Sequence, residues 1–599
     1  MGSTPIQLTK VKLGKLQVVR RHLLQRYESQ PFLSCLAGLY GCQWRRYQRT
    51  RFLPGEFCCN KFEMFSFGIL VLTFALAFVL LYFWSEAKND YNDFDWNFYR
   101  DRWFPWSAVV LGVTVTFFTY IAILLVLAIC LLSESQRLYL FWGHKIATVL
   151  VFAFSAVAIG FLYSQWQEEW NTFIISFQVT APYLHVGGVA VLTTLSWPVA
   201  QHFSKMTGKV ARVITLGLYL AALLFLYLVP LGMYSSCIKE RGTLGPKPAI
   251  IGHRGAPMLA PENTLMSFEK TIEHGGDGLE TDVTISLDGV PFLLHDPTLK
   301  RTTDIEEVFP GNHSRKAAFF PWHQLAQLNA GKWFLEDNPF GTKRLLSAAD
   351  RWKAGRQGLC KLTDLLTLAS THSKLVIFDL YRPPRSHPYR DSFIKQTISA
   401  IQDSGIKQNL ILWLPNPLRP IVQQKMPGFI HIYGGKQPVR DLQMDRITRI
   451  NVRYSELSHR EIRMYSAANI STNLYVVTEP WIFSLAWCSG AHSVITNDPQ
   501  RLRELGQPCF LMTPFQYKAM WVSSDIVSAM LVMLIFIFHW WRENGFACHP
   551  SVKGRDKGIY SKFRTEMNNV WSVSEAEPIA IQPSNNTASL PTSAVPGHV

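Results

Sequence analysis

Two histidines, an arginine and a pair of carboxylates fall within one short window of this chain. They are His253 and Arg254, then Glu280 and Asp282, then His295 followed by Asp296. Imidazole titrates near neutral pH, so two of them suit a general base and a general acid. Glu280 and Asp282 are spaced i, i+2. On a strand they share one face, about 7 Å apart, and paired carboxylate oxygens suit a hard cation such as Ca²⁺ or Mg²⁺. Arg254 offers a charged donor fork to an anion. A lone histidine is usually a solvated or packing residue, and an isolated E-x-D is usually a solvated strand face. The combination at these spacings points instead to metal-assisted acid–base chemistry on an anionic group.

The neighbouring residues predict the elements that hold this set. Residues 249–252 are a short apolar run ending in glycine, the pattern of a buried parallel strand. Gly255 permits a tight turn, and Pro261 suits the first turn of a helix. Residues 264–272 alternate at roughly helical spacing and stop at Gly275-Gly276. Residues 279–285 read as a strand, Asp288-Gly289 as a hairpin turn, and 290–294 as a run leading to His295. Residues 297–360 read as an irregular insertion. Further apolar runs at 374–380, 409–414, 430–433, 449–454, 473–477 and 493–496 alternate with helical segments. With the two earlier strands they make about eight, which predicts an α/β fold: a TIM (β/α)₈ barrel with polar groups at its strand ends.

His253-Arg254-Gly255, Pro261-Glu262-Asn263-Thr264, Glu280-x-Asp282, Asp288-Gly289 and His295-Asp296 together resemble the signature of the glycerophosphodiester phosphodiesterase family. Leu328-Asn329-Ala330-Gly331-Lys332-Trp333-Phe334 and Thr496-Asn497-Asp498-Pro499 extend the resemblance over about residues 246–508. It implies that His253, His295 and Arg254 are catalytic, and that Arg254, Lys332 and Trp481 contact substrate. It also implies that Glu280, Asp282 and a third carboxylate hold one divalent cation, Ca²⁺ or Mg²⁺. The family usually has Glu as the third. The only carboxylate on the corresponding strand here is Asp379, one methylene shorter, which leaves open a working ligand, a weaker metal site or an inactive one.

The rest of the chain reads as membrane. Hydrophobic residues make up 48% and charged ones only 17%, which suits a membrane protein with a soluble part. Apolar stretches near 64–84, 107–132, 146–163, 173–198 and 210–233, and a sixth at 521–541, stand out; all but the third, the shortest, clearly have the length needed to cross the ~30 Å hydrocarbon core. The layout resembles the six-span animal branch of the same family. The formal charge of +16 sits beside these stretches, so it fits a membrane surface, and no nucleic-acid motif is present.

Five domains follow. Residues 1–63 form a basic tail, with a short amphipathic helix at 13–27 and a palmitoylation candidate at Cys58-Cys59. Residues 64–233 hold five spans, 234–520 the barrel, 521–541 the sixth span, and 542–599 a disordered tail. Basic loops at Arg137, Lys145, Lys205, Lys209, Arg212 and Lys553 alternate with acidic ones at 85–106 and Glu168-Glu169. The positive-inside rule therefore puts both termini in the cytoplasm and the barrel outside, most simply at the plasma membrane. Asn312 and Asn469 lie in glycosylation sequons of that outer segment. Cys237, Cys360, Cys488 and Cys509 can pair there in a way the sequence does not specify.

The resemblance implies substrates such as glycerophosphoinositol, glycerophosphocholine, lysophospholipids or glycosylphosphatidylinositol anchors. Two other classes of function find support in single residues. A non-catalytic receptor or scaffold draws on the shortened carboxylate Asp379. A transporter draws on the intramembrane His185, although the spans read as largely free of paired polar residues.

Overall fold

A computed structural model of the chain describes residues 30–42, 60–89, 95, 104–133, 136–206 and 208–544. The expected amphipathic helix at 13–27, Cys58, Cys59 and the tail beyond 544 lie outside the described residues. The described residues up to Ile535 form one compact unit. From Phe536 the described residues belong to a second.

Among the described residues six helices are long and apolar enough to cross a membrane. The first five are Lys61–Glu86, Trp106–Ser133, Trp142–Gln165, Gln167–Lys205 and Lys209–Leu228. The sixth, Pro514–Asn544, follows the barrel. The fourth helix is much longer than the apolar run that predicts it. Its 39 residues measure roughly 58 Å, against a hydrocarbon core of about 30 Å. It is therefore longer than the layer is thick.

The spans do contain paired polar residues, contrary to expectation. Glu63 and Lys145 meet at 2.5 Å, both buried. His185 Nε2 lies 3.7 Å from Asp525 of the last helix. Each partner is remote in sequence, so neither pair shows as a motif.

The soluble segment is a closed barrel of eight parallel strands. Its strands are β1 (Ala249–Gly252), β2 (Gly278–Ile285), β4 (Leu375–Leu380), β5 (Ile411–Trp413), β6 (Ile430–Gly434), β7 (Arg449–Arg453), β8 (Ser471–Tyr475) and β9 (Ser493–Thr496). The sheet runs β1-β9-β8-β7-β6-β5-β4-β2, and β1 pairs with β2 to close it. The short β3 (Pro291–Leu293) is an antiparallel hairpin arm on β2, outside the barrel. Gly289 turns that hairpin at φ +88°, where side chains are strained.

Ile251, Ile377, Leu412, Ile432 and Ile495 fill the barrel interior, and larger apolar clusters pack the strands against the surrounding helices. A disulfide joins Cys237, in the linker after the fifth span, to Cys488 on the barrel helix Pro480–Ser489. Cys360 and Cys509 are free thiols.

Candidate active site

The chain leaves β1 through a turn that only glycines fit. A Cβ on Gly252 would lie 2.4 Å from the Gly255 carbonyl, and one on Gly255 would lie 2.4 Å from Ser267 Oγ. Between them, His253 and Arg254 are carried over the C-terminal end of the barrel, with Arg254 in the left-handed region at φ +55°. His253 Nδ1 lies 2.7 Å from Asn497 Oδ1. An amide oxygen only accepts, so Nδ1 carries the proton and Nε2 keeps its lone pair. Burial, reinforced by Arg254, lowers the His253 pKa to about 4, so the imidazole is neutral at physiological pH.

Glu280 and Asp282 project from one face of β2. Asp379 lies on β4 in direct register with Asp282. Ligand oxygens of the three carboxylates all come within 4.8 Å of one another. The shorter side chain of Asp379 thus still reaches the cluster. Burial and mutual repulsion hold the Glu280 carboxyl well above its ordinary value, and burial with the Asp282 charge raises Asp379 to about 6. Three oxygen donors that repel one another fit a hard divalent cation, whose charge would relieve that repulsion.

Neighbours fix these carboxylates. The Arg254 amide donates to Glu280 Oε2 at 2.8 Å, Tyr381 donates its hydroxyl to Asp282 Oδ1 at 2.9 Å, and Asn263 Nδ2 donates to Asp282 Oδ2 at 3.2 Å. The Arg254 guanidinium sits between Asp282, at 3.3 Å, and Glu262, at 3.1 Å.

A charged chain runs from that guanidinium to the second histidine. Glu262 accepts two hydrogen bonds from Arg301, at 2.7 and 2.8 Å. Arg301 also donates twice to Asp296, at 2.9 Å each. Asp296 accepts from His295 Nδ1 at 2.8 Å. Burial opposes charge on His295, but Asp296 outweighs it and holds the imidazole pKa above its ordinary value. The two histidines are therefore biased in opposite directions, one toward staying neutral with its Nε2 lone pair free and one toward holding its proton.

A cavity of about 390 Å³ takes in His253, Arg254, Glu280, Asp282, His295 and Asp379. The two other expected substrate contacts do not line it. Lys332 opens a helix of the insertion, and its ammonium is taken up by Asp304 and Glu307, at 3.2 and 3.0 Å. Trp481 packs against apolar clusters on the barrel's outer layer. Asn312 and Asn469 are both exposed. Arg301 and Tyr381 carried no sequence signal. Glu262 and Asn497 stood inside recognised motifs without an assigned role.

The family described as glycerophosphoryl diester phosphodiesterase matches residues 253–405. Human glycerophosphodiester phosphodiesterase domain-containing protein 5 is 45% identical over 88% of this chain and 87% of its own length. Mouse domain-containing protein 4 is 40% identical, covering 87% and 86%. Mouse glycerophosphoinositol inositolphosphodiesterase GDPD2 is 41% identical, covering 84% and 92%. With the closed barrel and its acidic end, these likenesses establish a phosphodiesterase, and the chain belongs to the glycerophosphodiester phosphodiesterase family.

Proposed function

We propose that this enzyme hydrolyses glycerophosphodiesters at the outer face of the plasma membrane, using one divalent cation, Ca²⁺ or Mg²⁺. The observation that carries this reading is the meeting, in one cavity, of a neutral His253, a charge-stabilised His295 and three converging carboxylates. Glu280, Asp282 and Asp379 would hold the ion, which supplies positive charge to the phosphoryl oxygens. His253 Nε2 takes the proton of the attacking hydroxyl as its oxygen bonds to phosphorus. His295 gives a proton to the oxygen whose bond to phosphorus breaks. A hydroxyl of the substrate itself can serve as the attacker, giving a cyclic phosphate that water then opens. Arg254 offsets negative charge on the phosphoryl group.

Several features support the outward placement. Five spans precede the barrel and one follows it, with basic loops on the side of both termini. The Cys237–Cys488 disulfide suits an oxidising compartment. Asn312 and Asn469 are exposed as glycan acceptors must be. Residues 1–63 and 542–599 are then cytoplasmic. The name of the mouse relative makes glycerophosphoinositol the first substrate to try, followed by glycerophosphocholine, lysophospholipids and glycosylphosphatidylinositol anchors. The test is turnover by His253→Ala and His295→Ala variants whose surface amount matches the parent. Both are expected to lose activity, and normal turnover in either refutes its role.

A further inference from the structure

The chain leaves the first span, Lys61–Glu86, at a fixed point. Ala87 is buried, and its amide closes the last turn on the Phe83 carbonyl at 2.8 Å. Asn89, just beyond, spends both ends of its side-chain amide on the barrel. Its Nδ2 donates to the Val476 carbonyl at 2.8 Å, and the amides of Thr478 and Glu479 donate to its Oδ1 at 2.9 and 3.3 Å. Val476, Thr478 and Glu479 belong to the loop between β8 and the helix Pro480–Ser489. A membrane span thus holds a strand-end loop of the barrel by three hydrogen bonds to its backbone.

That loop is tied to the residues that orient His253. Strands β8 and β9 pair at Asn473–Ser493 and Leu474–Val494. Past those positions the Val477 amide donates to the Ile495 carbonyl at 2.8 Å. The next carbonyl, of Thr496, accepts from the His253 amide at 2.8 Å, and the residue after it, Asn497, holds the His253 ring at 2.7 Å. A second tie starts at Glu479, whose carboxylate lies 3.8 Å from the Arg501 guanidinium. The Arg501 amide in turn donates to Asp498 at 3.2 Å. Both ties begin within the segment that Asn89 holds.

We propose that Asn89 is a positioning residue for the hydrolytic site. By holding the loop after β8 it fixes the end of β9, which aims His253 at the attacking hydroxyl, and turnover thereby depends on how the first span is seated. This rests on the hydrolytic reading of the site. A catalytic group displaced by about 1 Å through a remote change can cost on the order of a hundredfold in rate. Asn89 supplies part of that constraint. Other links keep the barrel seated when it is replaced: the Thr172 hydroxyl bonds to that of Tyr454, Glu168 pairs with Arg453, and the Cys237–Cys488 disulfide ties the linker to the barrel.

Two rival roles for Asn89 make different predictions. A mere tether lowers the Tm or the yield of folded protein and leaves kcat per folded molecule unchanged. A substrate contact, which its place on the cavity border would allow, changes KM or the preference between substrates. Lost aim of the base lowers kcat by one factor on every diester, with KM unmoved.

The experiment uses the purified full-length chain, normalised to folded protein. It measures kcat and KM on glycerophosphoinositol and glycerophosphocholine, the Ca²⁺ or Mg²⁺ concentration for half-maximal activity, and the Tm. The variants are Asn89→Ala, Asn89→Asp and, as a control, Ala at the exposed neighbour, Lys88→Ala. Asn89→Ala is expected to lower kcat about tenfold on both substrates, with KM and the metal requirement as in the parent. Asn89→Asp keeps the oxygen that accepts from two amides and is expected to stand between Asn89→Ala and the parent. Lys88→Ala is expected to match the parent. Should Asn89→Ala not fold, Asn89→Asp against the parent decides by the same split. An unchanged kcat, a loss confined to Tm or yield, a loss carried by KM or by one substrate, or an Asn89→Asp variant no faster than Asn89→Ala overturns the inference. A parent that hydrolyses neither diester refutes the hydrolytic reading itself, and this inference with it.

Discussion

Arg301 is the residue on which the site's electrostatics turn. It is 9% exposed and donates four hydrogen bonds, two to Glu262 and two to Asp296. Replacing it in Arg301→Met leaves the buried Glu262 and the half-buried Asp296 each short of a partner, and breaking a buried pair costs about 3–5 kcal/mol. The structure gives an independent figure of the same size. Burial alone would raise the Glu262 pKa, yet Arg301 and then Arg254 bring it from 4.5 to about 2. Such a shift is worth about 3 kcal/mol. Because the folded value lies below the unfolded one, this stability is complete above about pH 4.5 and is lost as pH falls toward 2.

Arg301→Met should therefore lower the apparent Tm at pH 7 by about 6–12 °C. It should also flatten the loss of stability between pH 4.5 and 2. Turnover should fall by about a hundredfold, because Arg301 no longer fixes the carboxylate of Asp296 that orients His295. Arg301→Lys keeps the charge but not the fork, so it should fall between the two. Scanning fluorimetry across pH, with turnover measured in parallel, decides the matter. A variant with the parent's Tm and acid slope would falsify the assigned role.

Three further outcomes follow from the same geometry. Asp379→Ala should raise the Ca²⁺ or Mg²⁺ concentration for half-maximal activity at least tenfold, and Asp379→Glu should restore it; titration of each variant with the two ions checks this. Asp296→Asn removes the charge that outweighs burial at His295, so the alkaline fall in the pH–rate profile should move to lower pH. An unmoved limb assigns that fall to another group. Cys237→Ser should destabilise the barrel by about 2–4 kcal/mol, and the parent but not the variant should change mobility on a gel when reduced.

Much of this was legible in the residues. The strands are short apolar runs that alternate with helical segments, so the pattern located all eight. The i, i+2 spacing of Glu280 and Asp282 survives intact because a strand has a period of two. Asp379 is legible only through the family resemblance, which implies a third carboxylate on a strand that carries just this one. What remained hidden depends on contacts across long stretches of chain. Arg301 meets Glu262 through the insertion, Cys237 meets Cys488 across 251 residues, and Asn89 reaches the rim at Thr478. No local pattern records such meetings. Lys332 misled for the opposite reason. It stands in a family-like motif, yet Asp304 and Glu307 neutralise it away from the cavity.

The central claim is metal-dependent diester hydrolysis on the outer side of the cell. Its most direct measurement is release of product from glycerophosphoinositol by intact cells displaying the chain, with and without EDTA, beside cells displaying Glu280→Ala. The account predicts product in the medium that disappears with EDTA, returns with added Ca²⁺ or Mg²⁺, and is absent for Glu280→Ala. Product that persists in EDTA, or that Glu280→Ala makes equally well, contradicts it.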